Sequence, residues 1–117
     1  MPYDEDLADR IRELLATEDG VTEKKMFGGL AFLIGGHLAI GASGQGGIMV
    51  RVEPDETEAL LATTAATPMV KRGRDLDGWV RVGADDVRTK RQLSAWARRG
   101  VTYARSLPPK PPSVRRT

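Results

Sequence analysis

The sequence has 117 residues, of which 40% are hydrophobic and 29% charged, and this fits one folded domain with little room for a second. The absence of cysteine excludes disulfides, thiol catalysis and cysteine-ligated metals, and a single histidine excludes a multi-histidine metal site. No apolar run is long enough to cross a membrane and the acidic N-terminus lacks the features of a signal peptide, so we expect a cytoplasmic protein.

The small net charge of +2 hides an uneven distribution of acidic and basic residues. Residues 1–60 contain 12 acidic and 5 basic residues, whereas residues 61–117 contain 4 acidic and 13 basic ones. From Arg88 to Thr117 there are nine basic residues and no acidic one. This polarity predicts an anionic partner for the C-terminal part or attraction between two copies, although a solvated helix with a basic tail gives the same pattern.

The chain opens with a predicted helix from Asp4 to Ala16, because apolar residues recur there at helical spacing. Asp4 is the expected N-cap, and the acidic residues beside it suit the positive end of the helix dipole. Gly20 is expected to end this segment in the left-handed conformation. The apolar stripe consists of Leu7, Ile11, Leu14 and Leu15.

The most apolar stretch, Lys24 to Ile40, predicts a β-hairpin. Residues Val21 to Phe27 form the entry to it, for which a short strand stays open. A two-residue turn at Gly35-Gly36 would pair Leu33 with Leu38 and divide the large side chains between the two faces. A three-residue loop, with Gly36 in a left-handed bulge position, would place them on one face, and we predict this odd-length loop. The residues gathered in this way are Leu30, Phe32, Ile34, Leu38 and Ile40.

Three features around the hairpin suggest chemistry, but their residues favour structural roles. Gly28-Gly29 allows a bend that serves packing. The segment Gly41 to Gly47, GASGQGG, lacks the P-loop, dinucleotide and nucleophile-elbow patterns and precedes a strand rather than a helix. We therefore predict a flexible connection to a strand over Ile48–Val52. His37 has no second histidine or cysteine, which favours a surface residue over a ligand or base.

The second half of the chain contains short predicted elements separated by turns. Asp77-Gly78 gives the sharpest turn signal. Trp79 lies near Arg72, Arg74 and Arg81 in the sequence, so it could stack on a base or cover a sheet edge, and we favour the second. The predicted elements are a helix over Glu53–Thr63, a loop to Pro68, a strand over Met69–Arg72, a turn region over Gly73–Gly78 and a strand over Trp79–Val82.

The final predicted helix begins at Thr89, which forms a capping box with Gln92, and continues to about Leu107. Arginines recur every seven residues on the side opposite its apolar stripe, with further basic residues beside them. If this chain binds nucleic acid, these cations are the candidate contacts. They are Arg88, Arg91, Arg98, Arg99, Arg105 and Lys110.

These elements predict an α+β protein in the order α-β-β-β-α-β-β-α, with an antiparallel sheet packed by helices. We assign residues 1–108 to a single domain. The consecutive prolines that follow stop the last helix, so residues 109–117 are expected to form a disordered, proline-rich basic tail.

Five segments occur in a characteristic order: KKMFGGLAFLIGGHLAI, the glycine-rich loop, GIMVRVEP, GWVRV and LSAWARRG. With them the chain, from about Asp4 to Lys110, resembles the TfoX/Sxy N-terminal domain family, within it the short stand-alone actinobacterial type. MFGG followed by a hairpin is the most specific part. The resemblance implies the same order of elements, in a two-layer arrangement similar to secretion-chaperone-like folds. It also implies a regulator of natural competence genes that works alongside a transcription factor, and it supplies no catalytic residues.

Three functions stay open. The favoured one is a non-enzymatic regulatory or adaptor domain that binds a protein partner, for example in the transcription machinery. The second is direct, non-specific nucleic-acid binding through the arginines of the last helix and the basic tail. An uncharacterised enzyme is less favoured, because only carboxylates and hydroxyls are available and Asp85-Asp86 fit a turn better than an acid–base pair. We expect no catalytic residues, metal, cofactor or membrane partner, while a homodimer stays open.

Overall fold

The computed structural model describes residues 3–26 and 28–108, which form three α-helices and six β-strands. Helix α1 spans Glu5–Leu14, α2 spans Thr57–Thr63 and α3 spans Lys90–Ser106. The strands are β1 Val21–Met26, β2 Gly29–Ile34, β3 His37–Ala42, β4 Ile48–Arg51, β5 Thr67–Lys71 and β6 Arg74–Val82. Short 3₁₀ turns at Pro54–Glu56 and Ala84–Asp86 precede α2 and α3.

The strands form one antiparallel sheet in the order β1-β2-β3-β4-β6-β5, so the predicted α+β class is confirmed. The order of elements is α-β-β-β-β-α-β-β-α, with one strand more than predicted. The additional strand is β1, which pairs along its whole length with β2, from Val21 opposite Ile34 to Met26 opposite Gly29. Its four central residues are polar and exposed, as suits an edge strand, and therefore carry no apolar alternation that would mark a strand in the sequence.

The turn between β2 and β3 differs from the prediction. Gly35 and Gly36 form a two-residue turn with φ values of +61° and +85°, and both positive values are what a type I′ turn requires. Leu33 consequently pairs with Leu38. The predicted odd-length loop is therefore wrong, because the glycine pair satisfies the tightest hairpin turn by itself.

The extra residue that brings the large apolar side chains to one face lies within β3 and not in the turn. Leu33 pairs with Leu38 but Phe32 pairs with Ile40, so Ala39 forms a bulge without a partner residue on β2. Beyond the bulge, residues pair even with even, as predicted. Leu38 is the exception, since it lies on the face opposite Phe32 and Ile40.

A second turn also differs from the prediction. The β5–β6 turn lies at Arg72-Gly73, with φ values of +55° and +76°, and not at Asp77-Gly78. Gly78 lies inside β6 with a φ of +86°. Its N–H donates to Thr57 Oγ1 over 2.8 Å and its carbonyl accepts from the Val52 N–H over 2.8 Å. Gly78 is therefore hydrogen-bonded to the segment that leads from β4 into α2. These tertiary hydrogen bonds replace the local turn that the Asp77-Gly78 sequence suggests.

All three helices pack on one face of the sheet, where the main core lies. Leu7 and Ile11 of α1, Leu60 of α2 and Leu93 of α3 belong to the same buried cluster as Phe32 of β2. The opposite face, here called the open face, carries a smaller cluster that contains no helix residue. Its buried members are Ala31, Leu38, Met49 and Met69, and Met26, Leu33, Leu76 and Trp79 pack against them half-buried.

Helix α3 approaches the sheet most closely at Gly100. A Cβ placed on Gly100 would lie 2.1 Å from the carbonyl oxygen of Ala39 and 2.8 Å from its carbonyl carbon. Real side chains do not tolerate such distances to backbone atoms, so only glycine fits here. The helix therefore sits directly on the bulge of β3.

Replacing Gly100 with Ala is expected to lower the free energy of unfolding by about 1–3 kcal/mol, because the added methyl group must push α3 away from Ala39. The loss should appear although alanine is favoured over glycine inside a helix by about 1 kcal/mol. Urea unfolding followed by circular dichroism measures the effect. Gly83→Ala is the matched control, since a Cβ on Gly83 meets no atom within 4 Å and its φ is −67°. A Gly100→Ala protein as stable as the control would contradict this packing.

Candidate interaction surface

The sequence of α3 fixes where its arginines lie. The predicted capping box is present: Thr89 Oγ1 accepts from the Gln92 N–H over 3.0 Å, and Gln92 Oε1 accepts from the Thr89 N–H over 3.0 Å. The helix buries a stripe that includes Leu93 and Val101. Its arginines are exposed, so the predicted separation of an apolar and a basic side is confirmed.

The candidate arginines do not form one equivalent set. Arg105 Nη2 donates to Glu18 Oε1 over 2.7 Å and to the Asp19 carbonyl over 3.1 Å, and Arg99 Nη1 lies 3.4 Å from Glu56 Oε1. Within residues 3–26 and 28–108, the side chains of the remaining candidates have no acidic partner. These are Arg88, Arg91 and Arg98. The side chain of Lys90 likewise has no acidic partner among these residues. Lys110 and the predicted tail lie outside the described residues.

Helix α1 contacts α3 in the helix layer. Just before α3, the Val87 and Arg88 carbonyls accept from Arg10 Nη2 of α1 over 2.9 and 3.1 Å. Near the end of α3, Arg105 contacts Glu18, which lies in the segment between α1 and β1. Both ends of α3 are therefore connected to α1 or to the segment that follows it.

The outward side of α1 carries the opposite charge. Asp6, Asp9 and Glu13 are exposed there, opposite the stripe that α1 buries in the core. We call the exposed sides of α1 and α3 together the helical surface, defined by these three carboxylates and by Arg91 and Arg98. It therefore presents exposed acidic side chains on α1 and exposed basic side chains on α3.

A groove of about 490 Å³ extends this pattern on the other side of α3. Arg98, Arg99 and Tyr103 line it from the helix, and Glu53 and Glu56 line it from the chain before α2. Both signs of charge thus occur on this side of α3 too.

An ion pair with two hydrogen bonds connects α1 to the edge strand β1. Arg12 Nε and Nη2 donate to the two carboxylate oxygens of Glu23 on β1, over 2.6 and 2.9 Å, and Arg12 also pairs with Asp9. These hydrogen bonds hold the pKa of the Glu23 carboxyl below its usual range and raise the pKa of Arg12. Both side chains are more than a third exposed, so solvent screens the pair and its effect on stability is small.

Other residues singled out in the sequence have structural contacts. His37 Nε2 donates to the Pro108 carbonyl over 2.7 Å and so connects the hairpin to the end of α3. The connection predicted over GASGQGG is shorter than expected, because Gly41 and Ala42 belong to β3. Residues 43–47 connect β3 to β4, and Ser43 Oγ accepts from the Gln45 N–H there. Trp79 is half-buried, with the guanidinium carbon of Arg51 4.8 Å from its ring centroid.

The sequence pattern did not indicate Arg51 as a residue of interest. Its guanidinium carbon also lies 5.4 Å from the ring centroid of Tyr103, and its buried Nε has no hydrogen-bond partner among the described residues. The pairing of Arg51 with Trp79 follows from β4 lying next to β6. That adjacency skips β5, so sequence order does not reveal it.

The described residues contain neither a metal-binding cluster nor a membrane-spanning helix. No group of three or more histidine or carboxylate side chains is arranged to hold a metal ion. No helix combines the length and the apolar character needed to span a membrane.

The carboxyl of Glu23 should titrate at a lower pH than in the Arg12→Gln variant, because the arginine stabilises the charged form. The small stability that this pair contributes is present above the unfolded pKa of about 4.3 and is lost as the pH falls through the lower folded pKa. Carbon-detected NMR of the side-chain carboxyl between about pH 2 and 7 measures both midpoints. Equal midpoints in the two proteins would show that the pair does not persist in solution.

Charge reversal should separate the paired arginines from the unpaired ones. Arg105→Glu places a carboxylate opposite Glu18 and should lower the free energy of unfolding by about 1 kcal/mol, with recovery in the Arg105→Glu/Glu18→Arg double variant. Arg98→Glu is the control and should change stability little. Urea unfolding checks these values, and equal losses in the two single variants would contradict the described pairing.

Comparison with known proteins adds the family. A family model described as the TfoX N-terminal domain matches residues 13–104. No curated protein matches the sequence. The matched range contains all six strands, α2 and most of α3, including Arg88, Arg91 and Arg98. Because the match covers most of the chain, the protein belongs to the TfoX N-terminal domain family.

Proposed function

We propose that this domain is a non-enzymatic regulatory adaptor that binds a protein partner through its helical surface. The family is linked to the regulation of competence, and this supports a place among transcriptional regulators in the cytoplasm. The proposed partner is a protein of the transcription machinery.

One observation carries the choice of a protein partner: the helical surface has both signs of charge on neighbouring helices. The carboxylates of Asp6 and Glu13 on α1 lie on the same outer layer as Arg91 and Arg98 on α3. A nucleic acid presents a row of negative phosphates only, and carboxylates beside the arginines repel it. A protein can present both signs in matching positions, which gives specificity and fast association.

The spacing of the unpaired arginines suits a helical partner. Arg91 and Arg98 are seven residues apart, which is about 10.5 Å along the axis at 1.5 Å per residue. Carboxylates two turns apart on a partner helix have the same spacing. Arginine binds a carboxylate with two parallel hydrogen bonds, whereas lysine provides a point charge. The preferred partner therefore presents acidic side chains at heptad spacing.

Direct nucleic-acid binding is the second candidate, and the unpaired cations at the start of α3 favour it. Arg88, Lys90, Arg91 and Arg98 have no acidic partner in the described part of the chain. Together with Lys110, Arg115 and Arg116 they would contact phosphates and provide affinity without sequence choice.

Photo-crosslinking in the native cells tests the adaptor proposal. A benzoylphenylalanine at exposed position 95, on α3 between Arg91 and Arg98, is expected to capture one defined protein, and the same residue at exposed position 25 on β1 is the control. Charge reversal at Arg91 should reduce the captured amount about tenfold, the effect of losing about 1.4 kcal/mol of binding energy. Lys25→Glu, which changes the charge equally at a distant place, should leave it unchanged. Equal capture from positions 95 and 25 would contradict the proposal.

Duplex DNA titration separates the two candidates. If the domain is an adaptor, Arg91 and Arg98 do not bind DNA. Fluorescence anisotropy with a labelled duplex at low salt should then give the same result for the original protein and for the Arg91→Glu/Arg98→Glu variant. If the arginines contact phosphates, affinity falls with salt with a slope of about −0.9 for each phosphate neutralised, and the variant has a smaller slope. That result would replace the adaptor by the second candidate.

A further inference from the structure

We propose that the groove between α2 and the β5–β6 hairpin, here called the acidic groove, binds the chain's own proline-rich basic tail, residues 109–117. The groove is separate from the helical surface, and the proposal does not depend on the function assigned there. Three properties lead to it: the apolar lining of the groove, the charge of its rim and the place where the chain leaves α3.

The acidic groove has a volume of about 580 Å³ and an apolar lining that suits proline rings. Helix α2, the segment before it and both strands of the hairpin contribute to this lining. The apolar members are Pro54, Leu61, Pro68 and Leu76. The tail contains three prolines. Proline-rich segments are already extended, so they lose little conformational entropy when they bind in a groove.

The rim of the acidic groove is negative. Its charged residues are four exposed carboxylates, and the described residues that line the groove include no basic one. Within residues 3–26 and 28–108, none of the four has an ion-pair partner. Arg72 and Arg74 lie at the β5–β6 turn and do not line the groove. The four carboxylates are those of Asp55, Glu58, Asp75 and Asp77.

The basic tail has the complementary charge. It contains Lys110, Arg115 and Arg116 and no acidic residue. Because the tail is tethered to the same molecule, its effective concentration at the groove is roughly millimolar, and weak contacts are enough to hold it there. Docking competes with the phosphate contacts that direct nucleic-acid binding requires of the same three cations.

The chain leaves α3 at the end of the sheet where the acidic groove begins. His37 Nε2, at the start of β3, donates to the Pro108 carbonyl over 2.7 Å. Strands β3 and β4 are antiparallel neighbours, so the start of β3 lies at the same end of the sheet as the segment that follows β4. That segment contains Pro54, and a Cβ on Gly78 of β6 would lie 3.2 Å from Pro54 Cγ.

The tail is long enough to reach the acidic groove. In the sheet order β3-β4-β6, two strand spacings separate β3 from β6, a distance of about 10 Å. The seven residues from Pro108 to Arg115 span about 22 Å in polyproline form, at about 3.1 Å per residue. Arg115 can therefore lie beside the carboxylates of Asp75 and Asp77.

The groove along α3 is the other groove near the end of this helix, and it suits a basic segment less. It extends to Ser106, close to the start of the tail. Arg98 and Arg99 line it, and Glu56 there already pairs with Arg99. These arginines repel the cations of the tail, so the charges favour the acidic groove.

Paramagnetic NMR of the full chain tests the proposal. The sequence has no cysteine, so Ser113→Cys provides one position for a nitroxide spin label. The backbone amide signals of Leu61 and Leu76 should lose most of their intensity, while Lys25 on the distant edge strand β1 keeps its signal. Unchanged signals at Leu61 and Leu76, or losses at Ala95 in the groove along α3 instead, would overturn the proposal.

Charge reversal provides the second arm of this test. Arg115→Glu/Arg116→Glu and Asp75→Lys/Asp77→Lys should each restore the lost intensity, because each places like charges opposite one another. The two sets of substitutions combined should bring the loss back. Losses that persist in both reversal variants, or that do not return in the combined variant, would overturn the proposal.

Two controls exclude other sources of the signal loss. Asp85→Lys/Asp86→Lys changes the charge equally at the exposed turn before α3 and should leave the loss at Leu76 in place. Recovery of the signal in this variant would show an effect of net charge alone and would overturn the proposal. In a mixture of isotope-labelled chain without nitroxide and unlabelled chain with nitroxide, Leu76 should keep its signal. A loss there would assign the groove to the tail of a second copy and would overturn the proposal too.

Discussion

The contact between Gly100 of α3 and Ala39 of β3 holds the two layers of this protein in place. It requires a residue without a side chain on the helix, because the carbonyl of Ala39, the bulge residue of β3, occupies the space of a Cβ. The same bulge directs Leu38 to the open face, while Ile40 faces the helices. One irregularity in β3 therefore seats the helix whose arginines form half of the helical surface and also completes the apolar centre of the opposite face.

The uneven charge of the sequence has a local explanation in the fold. The acidic N-terminal and basic C-terminal parts meet within one molecule, since α1 lies beside α3 and Glu18 and Glu56 neutralise Arg105 and Arg99. Part of the attraction that the sequence suggested is thus satisfied internally. Exposed charges of both signs remain on the helical surface, which suits the protein partner proposed for it.

Local features of the fold could be predicted from the sequence. The Asp4 cap and the capping box at Thr89 are present because each depends on hydrogen bonds within a few residues. Gly20 has the predicted left-handed conformation, but α1 ends earlier, at Leu14, with Leu15 as its C-cap. The apolar and basic sides of α3 likewise follow from helical spacing. The family resemblance, which rested on the MFGG hairpin and the segments after it, is confirmed by the family match.

The features that could not be predicted depend on distant neighbours. The β2–β3 register combines a turn and a bulge, and the bulge residue Ala39 packs against Gly100, which lies 61 residues later in the chain. Asp77-Gly78 looks like a turn locally, but Thr57 and Val52 hold Gly78 inside a strand. Whether an arginine is free to bind a partner depends on which carboxylates the fold places beside it. The candidates chosen from the sequence therefore included both paired and unpaired arginines.

Removal of the α1 carboxylates is the most direct test of whether the helical surface recognises a protein. In the Asp6→Asn/Glu13→Gln variant the arginines of α3 stay intact while the exposed side of α1 loses negative charge. A protein partner that matches both signs should be captured less efficiently from position 95, and affinity for duplex DNA should remain negligible. Unchanged capture together with tighter, salt-sensitive binding of duplex DNA would contradict the two-sign surface and would show that the carboxylates had only been repelling phosphates.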